Sequence, residues 1–245
     1  VTRPSGPVPG ARTVAAVSPH LDDAAFSAGG LLAGLAAAGA DVCVVTVFTA
    51  SVPHPTGFAL ACQLDKGLDA DVDYLALRRA EDVAATAALG VRHRHLDLRE
   101  APHRGYGDAA ALFGPVVAAD DVTPPAVAAL VAAALAEEFP TGLDLVLGPQ
   151  ALGDHVDHRH VRDALPAVAE RVGALRSSWA DTPYLLRDGA ASPQGGPRAP
   201  SPAELSAKVE ACAAYATQVG FQFSGTGAMA AALRSTPEFF TTARA

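Results

Sequence analysis

Thr13-Val14-Ala15-Ala16-Val17 runs directly into Ser18-Pro19-His20-Leu21-Asp22-Asp23. A short apolar, partly β-branched run that stops at a polar cluster and continues through Gly29-Gly30 into a Leu/Ala-rich segment reads as strand, loop and helix. In open α/β sheets ligands bind at the carboxyl ends of such strands. One imidazole and two adjacent carboxylates are costly to hold together there unless a cation neutralises them. His20 and Asp23 can reach one metal, which leaves Asp22 unligated and able to take a proton. Carboxylates capping a helix N-terminus are the plainer alternative. That accounts for one aspartate and leaves the histidine unexplained.

Outward from this stretch, the pattern predicts a helix over residues 25–38, with Phe26, Leu31, Leu32 and Leu35 as apolar contacts and Gly39 as its end. Gly29-Gly30 weakens such a helix, and makes sense if backbone approaches the sheet or a ligand closely. Asp41 to Phe48 reads as a parallel strand buried on both faces. Residues 50–73, with Pro53, Pro55, Gly57 and Gly67, show no period and read as a long loop of the functional kind. Tyr74 to Leu89 is a predicted helix closed by Gly90, Val91 to Leu98 a third strand, and residues 99–122 a second irregular region. Pro124-Pro125 starts a helix to about Phe139. Gly142 leads into a fourth strand, Leu143 to Leu147, which ends at a second polar cluster, Gly148 to His160; a helix to about Val172 follows. Ser178 to Leu186 reads as a strand, residues 189–200 as a loop, and Ser201 to Tyr215 as a helix with a Ser201/Glu204 capping box. Phe239 and Phe240 read as packing residues.

Strands alternating with helices predict an α/β fold. The expectation is a Rossmann-like, mostly parallel sheet flanked by helices, with elaborated loops around the C-terminal strand edge. Pro- and Gly-rich residues 1–12 read as a flexible leader, and residues 13–245 as one domain. The length of 245 residues suffices for a sizeable core, and 50% hydrophobic against 18% charged residues argues against disorder or a coiled coil. No run of about 18 strongly apolar residues occurs, so no membrane span is expected. Eighteen basic against 26 acidic residues, a net charge of −8, argues against nucleic-acid binding. Cys43, Cys62 and Cys212 are odd in number and lack CxxC spacing, which argues against a disulfide framework or a cysteine zinc site. Cys43, in an apolar run, is expected as a buried thiol. The N-terminal stretch lacks a secretory hydrophobic segment, and a cytoplasmic location is expected. Oligomeric state is left open, a homo-oligomer being compatible.

The second cluster, His155-Val156-Asp157-His158-Arg159-His160, brings histidine and aspartate to the same sheet edge as the first. A catalytic zinc keeps three protein ligands and one open position, commonly two histidines and a carboxylate. His20, Asp23 and His158 supply that set; His158 begins a predicted helix just after the strand, though His160 fits on spacing alone and otherwise reads as solvated. Asp154 reads as an ordinary N-cap. Asp22 sits where a general base could act on water. His155 could stabilise an oxyanion or protonate a leaving amine, with Asp157 orienting it.

Ser18-Pro19-His20-Leu21-Asp22-Asp23 with Gly29-Gly30 downstream resembles the first signature of the PIG-L/LmbE-like zinc N-deacetylases, and His155-Val156-Asp157-His158 resembles the second. Between them, Arg78-Arg79-Ala80-Glu81 followed by Ala87-Ala88-Leu89-Gly90-Val91 is similar to the family's Arg/Glu helix. The resemblance covers roughly residues 13–165. It implies a Rossmann-like fold, zinc on His20, Asp23 and His158 (iron being an alternative for such a ligand set), Asp22 as base, and His155 with Asp157 as an acid pair. It further implies a hydrolase that removes an N-acetyl or other N-acyl group from an amino-sugar-like small molecule; amidases of thiol conjugates, which use the same site, are the alternative. Leu21 stands where proline is common, and Ala24 where better-known members carry glutamate, which points to a side branch with its own substrate. Arg78 and Glu81 read as an i,i+3 helix pair, with Arg78 as a candidate substrate contact. His54, His103, Arg104 and Tyr106 fall in the irregular regions, where loop position makes His103 and Tyr106 substrate candidates.

Overall fold

The computed structural model describes residues 10–245. Of the expected leader, residues 1–9 lie outside the described residues, whereas the Arg12 backbone N–H is already tied to the Asp144 carboxylate at 2.7 Å. The order begins β1 (Thr13–Ser18), α1 (Asp23–Ala37), β2 (Asp41–Thr46). α2 (Gly57–Leu64) lies inside the stretch expected to be a loop. Its N-cap Thr56 makes no side-chain capping bond, and eight residues are marginal alone. Local side-chain bonds hold the turn that follows, from Gln63 Nε2 to the carbonyls of Asp69 and Val72 at 2.6 and 3.0 Å.

α3 (Tyr74–Leu89) ends at Gly90 in the left-handed region, as expected. β3 (Arg92–His95) is shorter than the Val91–Leu98 expectation and is an edge strand, its exposed arginines paired with Asp41, Glu137 and Glu138. Charge on an edge strand blocks pairing with other chains. A 3-10 turn (Ala101–His103) and α4 (Ala109–Phe113), capped by Asp108, interrupt the second irregular region. α5 (Pro124–Glu138), β4 (Leu145–Pro149) and α6 (Val156–Val172) follow. The cap of α6 is His155, not Asp154, which adopts a left-handed φ of 60°.

β5 (Leu175–Trp179) corrects the strand expected at Ser178–Leu186. Trp179 lies opposite Pro149, the last residue of β4, so beyond it the chain has no parallel partner; it turns through Asp181-Thr182-Pro183 into a 3-10 turn, Tyr184–Leu186. β6 (Gly196–Arg198) falls in an expected loop. α7 (Pro202–Ala213) carries the expected Ser201/Glu204 capping box and is followed by α8 (Ala216–Phe223), α9 (Thr226–Ser235) and β7 (Glu238–Phe240).

The seven strands order as β3-β2-β1-β4-β5-β7-β6. Pairing is parallel from β3 to β5 and antiparallel at β7 and β6. The fold is thus α/β with a mostly parallel sheet flanked by helices. The period-2 alternation of β1 and β2 builds both faces. Ala15, Val17, Cys43 and Val45 pack with Val127, Val131, Leu135, Val161 and Leu165 of α5 and α6. Val14, Ala16, Val42 and Val44 pack with Ala28, Leu31, Leu32 and Leu35 of α1. The other side of α1, through Ala25, Phe26 and Ala33, meets α3, α7, α8 and α9, so this helix is apolar all round because it is covered all round. All three cysteines are free, Cys43 buried. Among the described residues no helix is long and apolar enough to cross a membrane.

Candidate active site

Strand order reverses between β1 and β4, which leave the sheet side by side in parallel. A crevice forms at such a switch point because the following helices depart to opposite faces. The two polar clusters read from the sequence therefore meet there. Ser18, at the end of β1, accepts the Ala24 N–H at 3.1 Å and donates to the His20 carbonyl at 2.7 Å, so a serine caps this loop. Asp22, at the N-cap position of α1, makes no capping bond with its side chain, which removes the plain capping explanation for it. Its carboxylate lines a cavity of about 360 Å³ with Arg78, Glu100 and Gln222.

Three candidate ligand atoms converge at the cavity, which His20 and Asp23 line and behind which His158 is buried. His20 Nδ1 and His158 Nε2 each lie 3.3 Å from Asp23 Oδ2, and one nitrogen or oxygen from each of the three residues falls within 4.8 Å of the others. Ligands about 2.0–2.2 Å from one tetrahedral zinc lie about 3.3–3.6 Å apart, so the spacing is that of a metal site. His158 Nε2 is buried and has no hydrogen-bond partner. A buried nitrogen without a partner is expensive unless something else meets it, and a divalent cation suits this donor set. A second grouping, His20, His155 and Asp157, is also compact. Its atoms already serve as hydrogen-bond partners: His20 Nε2 lies 2.9 Å from Asp157 Oδ2, and His155 Nδ1 accepts the Asp157 N–H at 3.1 Å.

That arrangement differs from the expected Asp157 carboxylate bond to His155. The Asp157 side chain, fully buried, reaches His20, the Ala101 N–H at 3.0 Å and Arg104 Nη2 at 2.6 Å. Only its backbone N–H, free in the first turn of α6, meets His155. This bond places the neutral ring's proton on Nε2. Burial pushes the His155 pKa down to about 3, so the imidazole stays neutral at pH 7 and acts as a hydrogen-bond donor. Asp22 is shifted the other way: burial, with the Asp23 charge adding to it and Arg78 opposing, raises it to about 7. Burial alone would also raise Asp23 and Asp157, but the charges and hydrogen bonds of His158 and His20 on Asp23, and of His20 and Arg104 on Asp157, hold both well below the carboxylate range.

Arg78 does not pair with Glu81. It donates to Glu100 at 2.5 Å and to the Leu21 carbonyl at 3.4 Å, and lies 3.5 Å from Asp22, while Glu81 accepts from Thr217 of α8. His103 lines the cavity. Tyr106 is buried, its hydroxyl donating to Asp121 at 2.7 Å, and His54 is exposed in a left-handed conformation. Arg104 is structural as well as near the site, bridging Asp157 and Asp121. His160, expected to be solvated, is 4% exposed and bonded to Asp121 at 2.8 Å.

Sequence reasoning missed Asp181, whose Oδ1 lies 2.7 Å from His158 Nδ1. It missed Gln222, which donates to Asp22 at 3.1 Å, and the walls formed by Phe113 and Tyr184, whose rings meet His155 and His158 edge-on at 5.3 Å each. A signal existed for Asp181, an aspartate two residues past a strand-ending tryptophan and two ahead of a proline. The longer strand expected over Ser178–Leu186 hid it.

Residues 15–169 match the family model PIG-L, described as GlcNAc-PI de-N-acetylase. The chain belongs to the PIG-L family. It is 36% identical over 170 residues to 2'-N-acetylparomamine deacetylase from Streptomyces fradiae, a match covering 69% of this chain and 56% of that enzyme. Among solved structures, a pseudoaglycone deacetylase of an antimicrobial agent is 32% identical, covering 85% of this chain and 83% of the other with a TM-score of 0.70. The zinc-inhibited form of teicoplanin deacetylase is 29% identical, covering 93% and 96%, with a TM-score of 0.75. Both polar clusters of this PIG-L chain lie inside the matched residues; Asp181 and Gln222 lie outside them.

Proposed function

We propose that this chain is a metal-dependent N-deacetylase acting on an amino-sugar-bearing small molecule of the natural-product kind that its relatives process. The observation that carries the reading is the trio His20, Asp23 and His158, at metal-site spacing around a buried nitrogen without a partner, beside a carboxyl group poised near neutrality. Zinc is the proposed resident ion. The three free cysteines support a reducing compartment, and we place the enzyme in the cytoplasm.

His20, Asp23 and His158 would hold a divalent cation, which would supply Lewis acidity toward the amide carbonyl and acidify the attacking water. Asp22 takes the proton from the attacking water as the C–O bond forms. A carboxyl group near pH 7 is matched to that task, and it can return the proton to the amine nitrogen as the C–N bond breaks, leaving acetate and a free amine. His155, neutral and with its proton on Nε2, donates a hydrogen bond to the developing oxyanion. Arg78 and Glu100, in the cavity wall, are placed to receive sugar hydroxyls. His103 lies in the same wall. The apolar rim of Phe58, Leu112, Phe113 and Phe221 suits whatever the sugar is attached to.

The test is metal content of the wild type and of His158→Ala, side by side with acetate release from N-acetylated aminoglycoside and glycopeptide intermediates. The expected result is one divalent ion per wild-type chain, acetate release from at least one such substrate, and neither property in the variant. A wild type that takes up no metal after reconstitution overturns the reading. So does a metal-free enzyme that turns over at the full rate.

A further inference from the structure

Both imidazoles of the trio present one nitrogen to Asp23 and turn the other away. For His20 the outward nitrogen, Nε2, meets Asp157. For His158 it is Nδ1, and it meets Asp181. We infer that Asp181 is a positioning residue of the metal centre, fixing the tautomer and ring orientation of His158 so that Nε2 presents a lone pair to the ion. This rests on the metal-site reading proposed above.

The geometry is specific. Asp181 is fully buried, and its two carboxylate oxygens have separate tasks: Oδ1 lies 2.7 Å from His158 Nδ1, and Oδ2 accepts the Leu152 N–H at 3.0 Å. Its backbone is held on both sides. The Ala180 N–H donates to the Phe239 carbonyl at 3.1 Å, the Thr182 N–H donates to Ser27 Oγ at 3.0 Å, and the Asp181 carbonyl accepts the Leu185 N–H at 2.8 Å. A carboxylate fixed this firmly is not free to follow the imidazole, so the imidazole conforms to it. An acceptor at Nδ1 keeps a proton there, and the neutral ring then has its lone pair on Nε2. That nitrogen is the one left without a partner, facing Asp23. Carboxylate partners of metal-binding histidines also raise ligand basicity, and their removal typically weakens metal affinity about 10–100-fold.

Asp181→Asn separates positioning from packing. The asparagine carbonyl can keep the Leu152 bond, which turns the NH₂ group toward His158. Nδ1 must then accept, the ring proton moves to Nε2, and the lone pair no longer faces the ion. The shape and the Leu152 contact survive.

Zinc dissociation constants for wild type and Asp181→Asn, from competition with a chromophoric chelator, test this, together with the absorption spectrum of the cobalt-substituted forms and the thermal midpoint of each apoprotein. The expected variant binds zinc about 10–100-fold more weakly with an unchanged apoprotein midpoint and an altered cobalt spectrum. Equal affinity in a folded variant overturns the inference and leaves the metal site intact. Failure of the wild type itself to bind zinc overturns the metal-site reading and this inference together. If the variant does not fold, nitrogen NMR of zinc-loaded wild type decides. A His158 ring protonated at Nδ1 and ligated through Nε2 upholds the inference, and any other pattern overturns it.

Discussion

Asp22 and Asp23 are neighbours in sequence with opposite electrostatic fates. Asp23 faces two imidazoles, whose charge and hydrogen bonds outweigh burial and keep it ionised. Asp22 faces Gln222 and, at 3.5 Å, Arg78; burial wins and its carboxyl rises to about 7. The proposed ligand and the proposed base are thus distinguished by which way each side chain leaves the start of α1. Asp22→Asn is expected to retain the metal and lose about 10²–10⁴ in turnover, the usual contribution of a general base. Elemental analysis and acetate release on the same preparation check both halves. Full turnover would show that Asp22 is not the base.

Helix α1 carries the cost of Gly29-Gly30 for a reason at the scale of elements. The N–H groups of Gly30 and Leu31 donate to the two carboxylate oxygens of Glu238 at 2.8 and 3.0 Å, and Lys208 of α7 meets the same carboxylate at 2.9 Å. A Cβ on Gly30 would lie 2.9 Å from the Pro200 ring and 3.1 Å from Glu238 Oε1. The close approach expected of these glycines is therefore to the chain's own C-terminal strand. It ties α1, α7 and β7 together behind the loop that holds His20. Glu238→Ala would leave Lys208, 3% exposed, without this carboxylate and strip two helix N–H groups of theirs. Breaking such a buried pair costs about 3–5 kcal/mol, to be read as a lowered denaturant midpoint with the slope unchanged. A midpoint within error of wild type would show the cluster to be energetically neutral.

For the whole molecule, the second irregular region is fastened to α6 by two carboxylates, Asp157 of α6, which reaches Ala101 and Arg104, and Asp121 of the region itself, which reaches His160. Asp121 accepts from Arg104, from the Tyr106 hydroxyl at 2.7 Å and pairs with His160 at 2.8 Å. Burial alone would raise its pKa, but the hydrogen bonds of Arg104, Tyr106 and His160 lower it below the ordinary carboxylate value. A group whose folded pKa is depressed stabilises the fold above its unfolded value, about 3.9, and loses that contribution as pH falls through the folded value. Stability is therefore expected to decline below about pH 4, with a shallower acid limb in Asp121→Asn. Parallel acid limbs in urea-unfolding series of the two proteins would assign the decline to other carboxylates, such as Asp144, which its backbone hydrogen bonds to Arg12 and Thr13 also hold low.

Sequence by itself determined the sheet from β1 to β4, the helices that cover it, and the three candidate ligands. Each rests on local information: short, nearly continuous apolar runs at β1 and β2, a glycine closing α3, and polar clusters within a few residues of a strand end. It also carried the Ser201/Glu204 cap, a bond between residues three apart. Tertiary structure alone decided which nitrogen of each histidine faces Asp23, because the partner of the other nitrogen lies 137 residues away for His20 and 23 for His158. It decided that Asp157 serves His20 by its carboxylate and His155 by its backbone, that His160 is buried, and that Arg78 meets Glu100 instead of Glu81. It also decided α2, eight residues whose Thr56 cap makes no side-chain bond and whose Phe58 packs against the cluster of Ala101, Tyr106, Leu112 and Val156. A hydrogen bond is satisfied by whatever group is nearest in space. Where that group is near in sequence as well, the pattern can be read along the chain; where it is not, only the folded chain brings it within reach.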